Sequence, residues 1–299
     1  MNYWKSIMTR RSSQELRELP SFQKTAYLLL PLILYFLVHD LVQVLLWGVL
    51  EGVLSLEGGM QSGVTGFLQE NAYTVNGLIN GLSILAGVGI IWQAVKGEIL
   101  GAFEKRQIPS DPDRKRQQQK LISYFLLAAL AIFASWGMNL LLFFLHITQS
   151  SSAYGETAAA QYGVNFGLGL VLYGLLSPIV EEAVFRGLVY NRLKRCFGYI
   201  LALIVSSLLF GCYHGNMVQG IYGTVLGLLI AWCYEKYQSF WAPVLFHGIA
   251  NVSVYLMTCL GGFSRLNGLA AAILFLGAVI CIVLVRKTAQ NPNNYVKNI

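Results

Sequence analysis

Two adjacent carboxylates, Glu181 and Glu182, stand inside the apolar stretch Ser177-Pro178-Ile179-Val180-Glu181-Glu182-Ala183-Val184-Phe185-Arg186. Near the centre of a bilayer each would cost roughly 2.5–3.5 kcal/mol, so a sequence keeps them there only with partners or a task. On a helix, Glu182 and Arg186 are four residues apart and share a face, where they can pair. Glu181 points about 100° away from Glu182, and neither residue 184 nor residue 185 is basic. The pair divides accordingly. Glu182 is expected to be held by Arg186, and Glu181 to be free for proton transfer.

Two histidines lie in other apolar segments: His214, closing Phe210-Gly211-Cys212-Tyr213-His214, and His247, opening His247-Gly248-Ile249-Ala250-Asn251. His247 and Asn251 are four apart and face the same way. A carboxylate, two imidazoles and an amide drawn from three helices supply a general base and polarising donors in a dry pocket. Other hydrolytic chemistries lack their motifs. There is no Gly-x-Ser-x-Gly, neither histidine begins a His-Glu-x-x-His, and no cysteine has a convincing base beside it. Water activated by glutamate remains, with or without a metal. A zinc held by Glu181, His214 and His247 stays open at this stage, since a catalytic zinc takes three protein ligands and a water.

The elements that position these residues are membrane helices. Hydrophobic residues make up 56% of the 299 and charged residues only 12%, against about 25% charged in soluble domains. A span needs about 20 mostly apolar residues. Eight candidates run near Thr25–Leu50, Thr74–Ala94, Leu121–Leu145, Val164–Tyr190, Gly198–Tyr213, Met217–Trp232, Trp241–Leu260 and Asn267–Val285. The expected fold is an all-α polytopic membrane bundle of about eight helices. With the N- and C-termini placed inside, every one of the 21 Lys and Arg residues except Arg265 falls on the cytoplasmic side, as the positive-inside rule asks. The loops 51–73 and 146–163 contain neither Lys nor Arg. Basic residues dispersed between apolar segments also argue against nucleic acid as a partner.

This divides the chain into an N-terminal two-helix segment with a basic cytoplasmic loop (1–120), a membrane core (121–285) and a cytoplasmic tail (286–299). No small-residue cleavage site follows the first apolar run, so no removable signal peptide is expected. The five cysteines, at no metal-like spacing, read as packing residues. His39-Asp40, inside the first helix, reads as a structural hydrogen-bonding pair rather than a functional one. The basic loop Lys96–Lys120 reads as solvated, and Gly77/Gly81 and Gly223/Gly227, among 30 glycines, carry little weight as helix-contact signals.

The order Glu181-Glu182…Phe185-Arg186, Phe210…His214, His247…Asn251 resembles the membrane endopeptidases of the CAAX-protease and bacteriocin-processing family, which includes the type II CAAX prenyl endopeptidases. The resemblance covers roughly residues 177–255. It implies an intramembrane endopeptidase in which Glu181 and His214 activate water, and His247 and Asn251 hold the oxyanion. Glu182 and Arg186 would brace the first motif, in a cavity open to the cytoplasmic half. The implied substrate is a membrane-associated peptide or protein, among membrane lipids, in what is expected to be a bacterial cytoplasmic membrane. The resemblance leaves metal dependence open; no cofactor is required by it, and zinc is the one alternative. A second reading of the same fold is a non-catalytic regulator that holds a partner such as a sensor kinase. A transporter is disfavoured because no inverted repeat of broken helices is evident.

One expectation is geometric. Glu181 comes late in its helix, whereas His214 ends a run that climbs about 24 Å from the inner side at 1.5 Å per residue. For the two to meet, the fourth helix must continue past the inner interface, or the fifth must start deep or tilt.

Overall fold

The computed structural model describes residues 3–56, 63–103 and 114–289. Most of the tail 286–299 and residues 104–113 of the basic loop lie outside them. Eight principal helices follow the expected segments: α1 (Ser21–Leu56), α2 (Ala72–Ile90), α3 (Arg114–Phe144), α4 (Phe166–Phe197), α5 (Tyr199–Tyr213), α6 (Met217–Tyr237), α7 (Trp241–Cys259) and α8 (Gly268–Thr288). Seven are long and apolar enough to cross a membrane; α5, at 15 residues, is not. About 22 Å of helix falls short of a hydrocarbon layer of about 30 Å. The chain is a polytopic membrane helix bundle, and its unburied leucines, isoleucines and valines line the outer faces of α1 and α8, where lipid takes the place of a protein core.

The short α5 stops because the chain turns at His214-Gly215-Asn216. Gly215 has φ 72°, a left-handed conformation that costs glycine little. The Asn216 side chain then accepts from the Gln219 N–H at 3.0 Å and caps α6. His214 is thereby left part-way along the bundle.

Helix α4 is the hub. It runs without a break from Phe166 to Phe197, widened into π-helical turns over Leu172–Leu176 and Ala183–Tyr190 on either side of Ser177–Glu182. Pro178, which has no N–H and crowds the preceding turn, sits between the two wide stretches. All residues from 183 to 193 are buried, packed on α1 (Leu32, Tyr35), α2 (Ile84), α5 (Ala202, Phe210) and α6 (Ala231, Tyr234). This answers part of the geometric expectation: α4 extends beyond the predicted Tyr190, so Glu181 lies near its middle, and Glu181 and His214 line the same cavity.

One end of the bundle is closed by a buried ionic cluster. Glu98, on the short helix Trp92–Phe103, accepts from Arg192 (3.0 Å), Arg195 (2.6 Å) and the Tyr27 hydroxyl (2.7 Å). Arg192 also donates to the carbonyls of Tyr27 and Ile7, tying the N-terminal segment to α4. The opposite end carries the helix Ser152–Tyr162, with Asn165 bonded to Thr74 at 3.2 Å.

The glycines of α6 matter more than their spacing suggested. A Cβ on Gly223 would lie 3.2 Å from the Cα of Gly211, and one on Gly227 would lie 3.3 Å from an Arg186 nitrogen. A Cβ on Gly211 would run into Thr224 Oγ1 and the Gly220 carbonyl. Gly211→Ala is therefore expected to cost about 1–3 kcal/mol by overpacking. Thermal unfolding of the detergent-purified protein measures it, with Gly220→Ala as the comparison, since there a Cβ meets nothing closer than 3.8 Å. Equal stability of the two variants would refute this close α5–α6 contact.

Candidate active site

At the centre of α4, Glu182 is fully buried and accepts from two sides. Arg186 Nη1 donates to its Oε1 at 2.9 Å, the pairing expected from the four-residue spacing. His247 Nδ1 lies 2.8 Å from the same oxygen, a contact between α4 and α7 that the spacing did not reveal. Arg186 is held in turn by the Gly227 carbonyl of α6 at 3.0 Å. Its guanidinium also stacks 4.6 Å above the Phe210 ring. Helices α4 and α7 thus meet at one carboxylate oxygen, α6 joins through Arg186, and Glu182 braces His247 as well as Arg186.

That contact assigns the His247 tautomer. With Nδ1–H donating to Glu182, Nε2 is left facing the other way, and there it lies 3.8 Å from Glu181 Oε2. His214 is oriented by the same device: its Nδ1 sits 2.9 Å from the Phe210 carbonyl, so Nε2 carries the free lone pair. Phe210 stands between the imidazoles, edge-to-face with His214 at 5.1 Å and with His247 at 5.5 Å, and Phe185 abuts it at 5.2 Å. Phe210 is thus the spacer between the histidines, and Phe185 backs it. Asn251 Nδ2 donates to the Tyr173 carbonyl at 2.9 Å, leaving a second amide hydrogen.

Glu181, His214, His247 and Asn251 all line one cavity of about 420 Å³. Its wall also includes Tyr213, whose ring touches both Phe185 (5.6 Å) and His214 (5.4 Å). Away from these residues the cavity runs along Thr148, Tyr154, Thr157 and Gln161, in the connection that has no Lys or Arg. This differs from the expected opening on the basic side. The reason lies in the cluster at Glu98: the buried Arg192, the part-buried Arg195, a carboxylate and Tyr27 fill the basic end of α4, and the space is left towards the other end.

Among the described residues, no group of three or more His, Cys, Asp or Glu side chains is gathered as a metal-holding set. Glu181, His214 and His247 are therefore not gathered as the three-ligand pattern of catalytic zinc requires.

The family model described as "Type II CAAX prenyl endopeptidase Rce1-like" matches residues 163–253, from the start of α4 into α7. Residues 163–253 form a CAAX-protease-family domain. All six expected site residues lie inside it. The domain is also similar to the "Putative membrane peptidase YdiL" of Bacillus subtilis (strain 168), with 27% identity over 90 residues, a span that is 30% of this chain and 37% of that protein. The chain therefore covers little more than a third of that relative. No solved structure matches the chain. Helices α1, α2 and α3 lie outside the domain.

Proposed function

We propose that the chain is an intramembrane endopeptidase of a bacterial cytoplasmic membrane, with its basic end inside, that cleaves membrane-associated peptides by Glu181-activated water. The observation that carries this reading is the unequal treatment of two adjacent carboxylates. Glu182 is engaged from two sides, whereas Glu181 faces the cavity with His247 Nε2 3.8 Å away as its ion-pair neighbour.

Charge neutrality gives the proton inventory. Buried charges must be paired; with both glutamates ionised, Arg186 offsets one of them. One proton shared between Glu181 and His247 balances the other. In the reaction, Glu181 takes a proton from a water whose position the His214 Nε2 lone pair helps to set. The hydroxide oxygen bonds to the scissile carbonyl carbon. The resulting oxyanion is held by the free amide hydrogen of Asn251 and by His247, whose Nε2 can donate only in the imidazolium form that Glu182 stabilises. Collapse of the tetrahedral species breaks the C–N bond, and the proton on Glu181 passes to the leaving amine. This retains the expected roles of Glu181, His214, His247 and Asn251, and gives Glu182 and Arg186 the task of orienting His247.

Comparing the small peptides in cells that carry the wild-type chain with those in cells carrying Glu181→Ala tests the reading. Cleavage products are expected to be missing from the variant and their uncut precursors to accumulate. Identical peptide populations at equal protein levels would sink it.

A further inference from the structure

The cavity wall facing Glu181 is built in part by α1 and α2, outside the family domain. Four cavity residues fall into two helical ladders: His39 and Gln43 on α1, and Asn76 and Asn80 on α2. Each pair is four residues apart and so shares a face. The ladders touch where Asn80 Oδ1 meets Gln43 Nε2 at 3.3 Å and His39 Nε2 at 3.4 Å. His39 Nδ1 lies 2.8 Å from Asp40 Oδ1, a contact that aims the imidazole at Asn80. Gln161 adds another carboxamide from the far end. The side chains of Asn76 and Gln161 make no hydrogen bond to any described residue. Asn76 lies in a membrane-spanning helix, where a carboxamide normally bonds across to a neighbour, so one left open into a cavity points to a ligand.

The wall also has a chemical sign. Apart from its histidines, the described cavity lining contains no cation. A terminal carboxylate or a phosphate is normally met by Arg or Lys; here neither is offered. Carboxamides both donate and accept, which matches the alternating N–H and C=O of a peptide main chain.

Resting on the peptidase reading, we infer that Gln43, Asn76, Asn80 and Gln161 bind the main chain of an uncharged, internal stretch of the substrate. That stretch reaches Glu181 from the end of the bundle that bears the connections 51–73 and 146–163, which carry no Lys or Arg. The enzyme then cuts within chains and does not trim at a free C-terminus.

The test uses the full-length protein in lipid nanodiscs and a pool of synthetic peptides, each made with a free and an amidated C-terminus, read by mass spectrometry. Wild type is expected to cut internal bonds, with amidation changing rates by less than about twofold. Asn76→Leu/Asn80→Leu should raise KM about tenfold, the loss of two neutral hydrogen bonds, with kcat little changed, and Asn80→Gln should recover part of the loss. Thermal unfolding confirms that the variants are folded, and a lost fold would lower kcat rather than raise KM selectively. The inference is overturned if cleavage depends strongly on a free C-terminal carboxylate, or if the double variant keeps wild-type KM; the peptidase reading would survive either result. If wild type and Glu181→Ala give the same fragments, or none, the peptidase reading fails and takes the inference with it.

Discussion

Glu181→Gln is expected to lower kcat/KM by about 10²–10⁴, the range lost when a positioned general base is removed, and to leave the fold intact. The substitution keeps the shape of the side chain and removes its ability to take a proton from water. Stability should change little, because Glu181 is not the partner of Arg186: the guanidinium is held by Glu182 and the Gly227 carbonyl. The loss should fall on kcat, since the carboxylate acts in the transition state and not in holding the substrate. Rates for wild type and variant on one peptide cut by wild type, with thermal unfolding in parallel, decide the matter. A variant with wild-type kcat would remove Glu181 from the chemistry.

Glu182→Ala should fail differently, losing stability and activity together. The carboxylate is fully buried and is shared by Arg186 at 2.9 Å and His247 at 2.8 Å. Its removal strands a buried guanidinium, a change that costs about 3–5 kcal/mol. Adding Arg186→Met removes the stranded charge, and replacing a buried ion pair by apolar groups is often neutral, so the double variant should regain most of the thermal stability. Activity should not return, because His247 still lacks the acceptor that fixes its tautomer. Recovery of both would mean that Glu182 serves only the fold.

Much of this was legible in the sequence because it was local or compositional. The apolar runs and the dispersion of Lys and Arg located the helices, and the spacing of Glu182 and Arg186 foretold their pairing. What escaped was of two physical kinds. Contacts between elements leave no trace in spacing: nothing about His247 on α7 indicates that its Nδ1 meets Glu182, nor that Gly227 supplies a carbonyl to Arg186. The other kind is how far a helix runs past its apolar stretch. Extrapolating an α-helix that ended at Tyr190 placed Glu181 near the basic end. The continuous α4 puts it mid-bundle, and the cavity lies on the other side. The carboxamides of α1 and α2 could have been noticed as polar residues in apolar helices, as His39 was, but only the fold brings them opposite Glu181.

The wide turns of α4 mean that its faces are set by counting as well as by composition. A π-turn accommodates one residue more than the α-helix around it, and each residue gained or lost rotates everything beyond it by about 100°. The stretch Leu172–Leu176 lies between the capped start of α4 and Glu181. Substitution there changes one side chain. Deleting a residue instead would re-phase the helix, turning both carboxylates together relative to the segment before them. In that sense α4 behaves like a geared shaft, in which a slip of one tooth disengages the whole train while wear on a tooth does not.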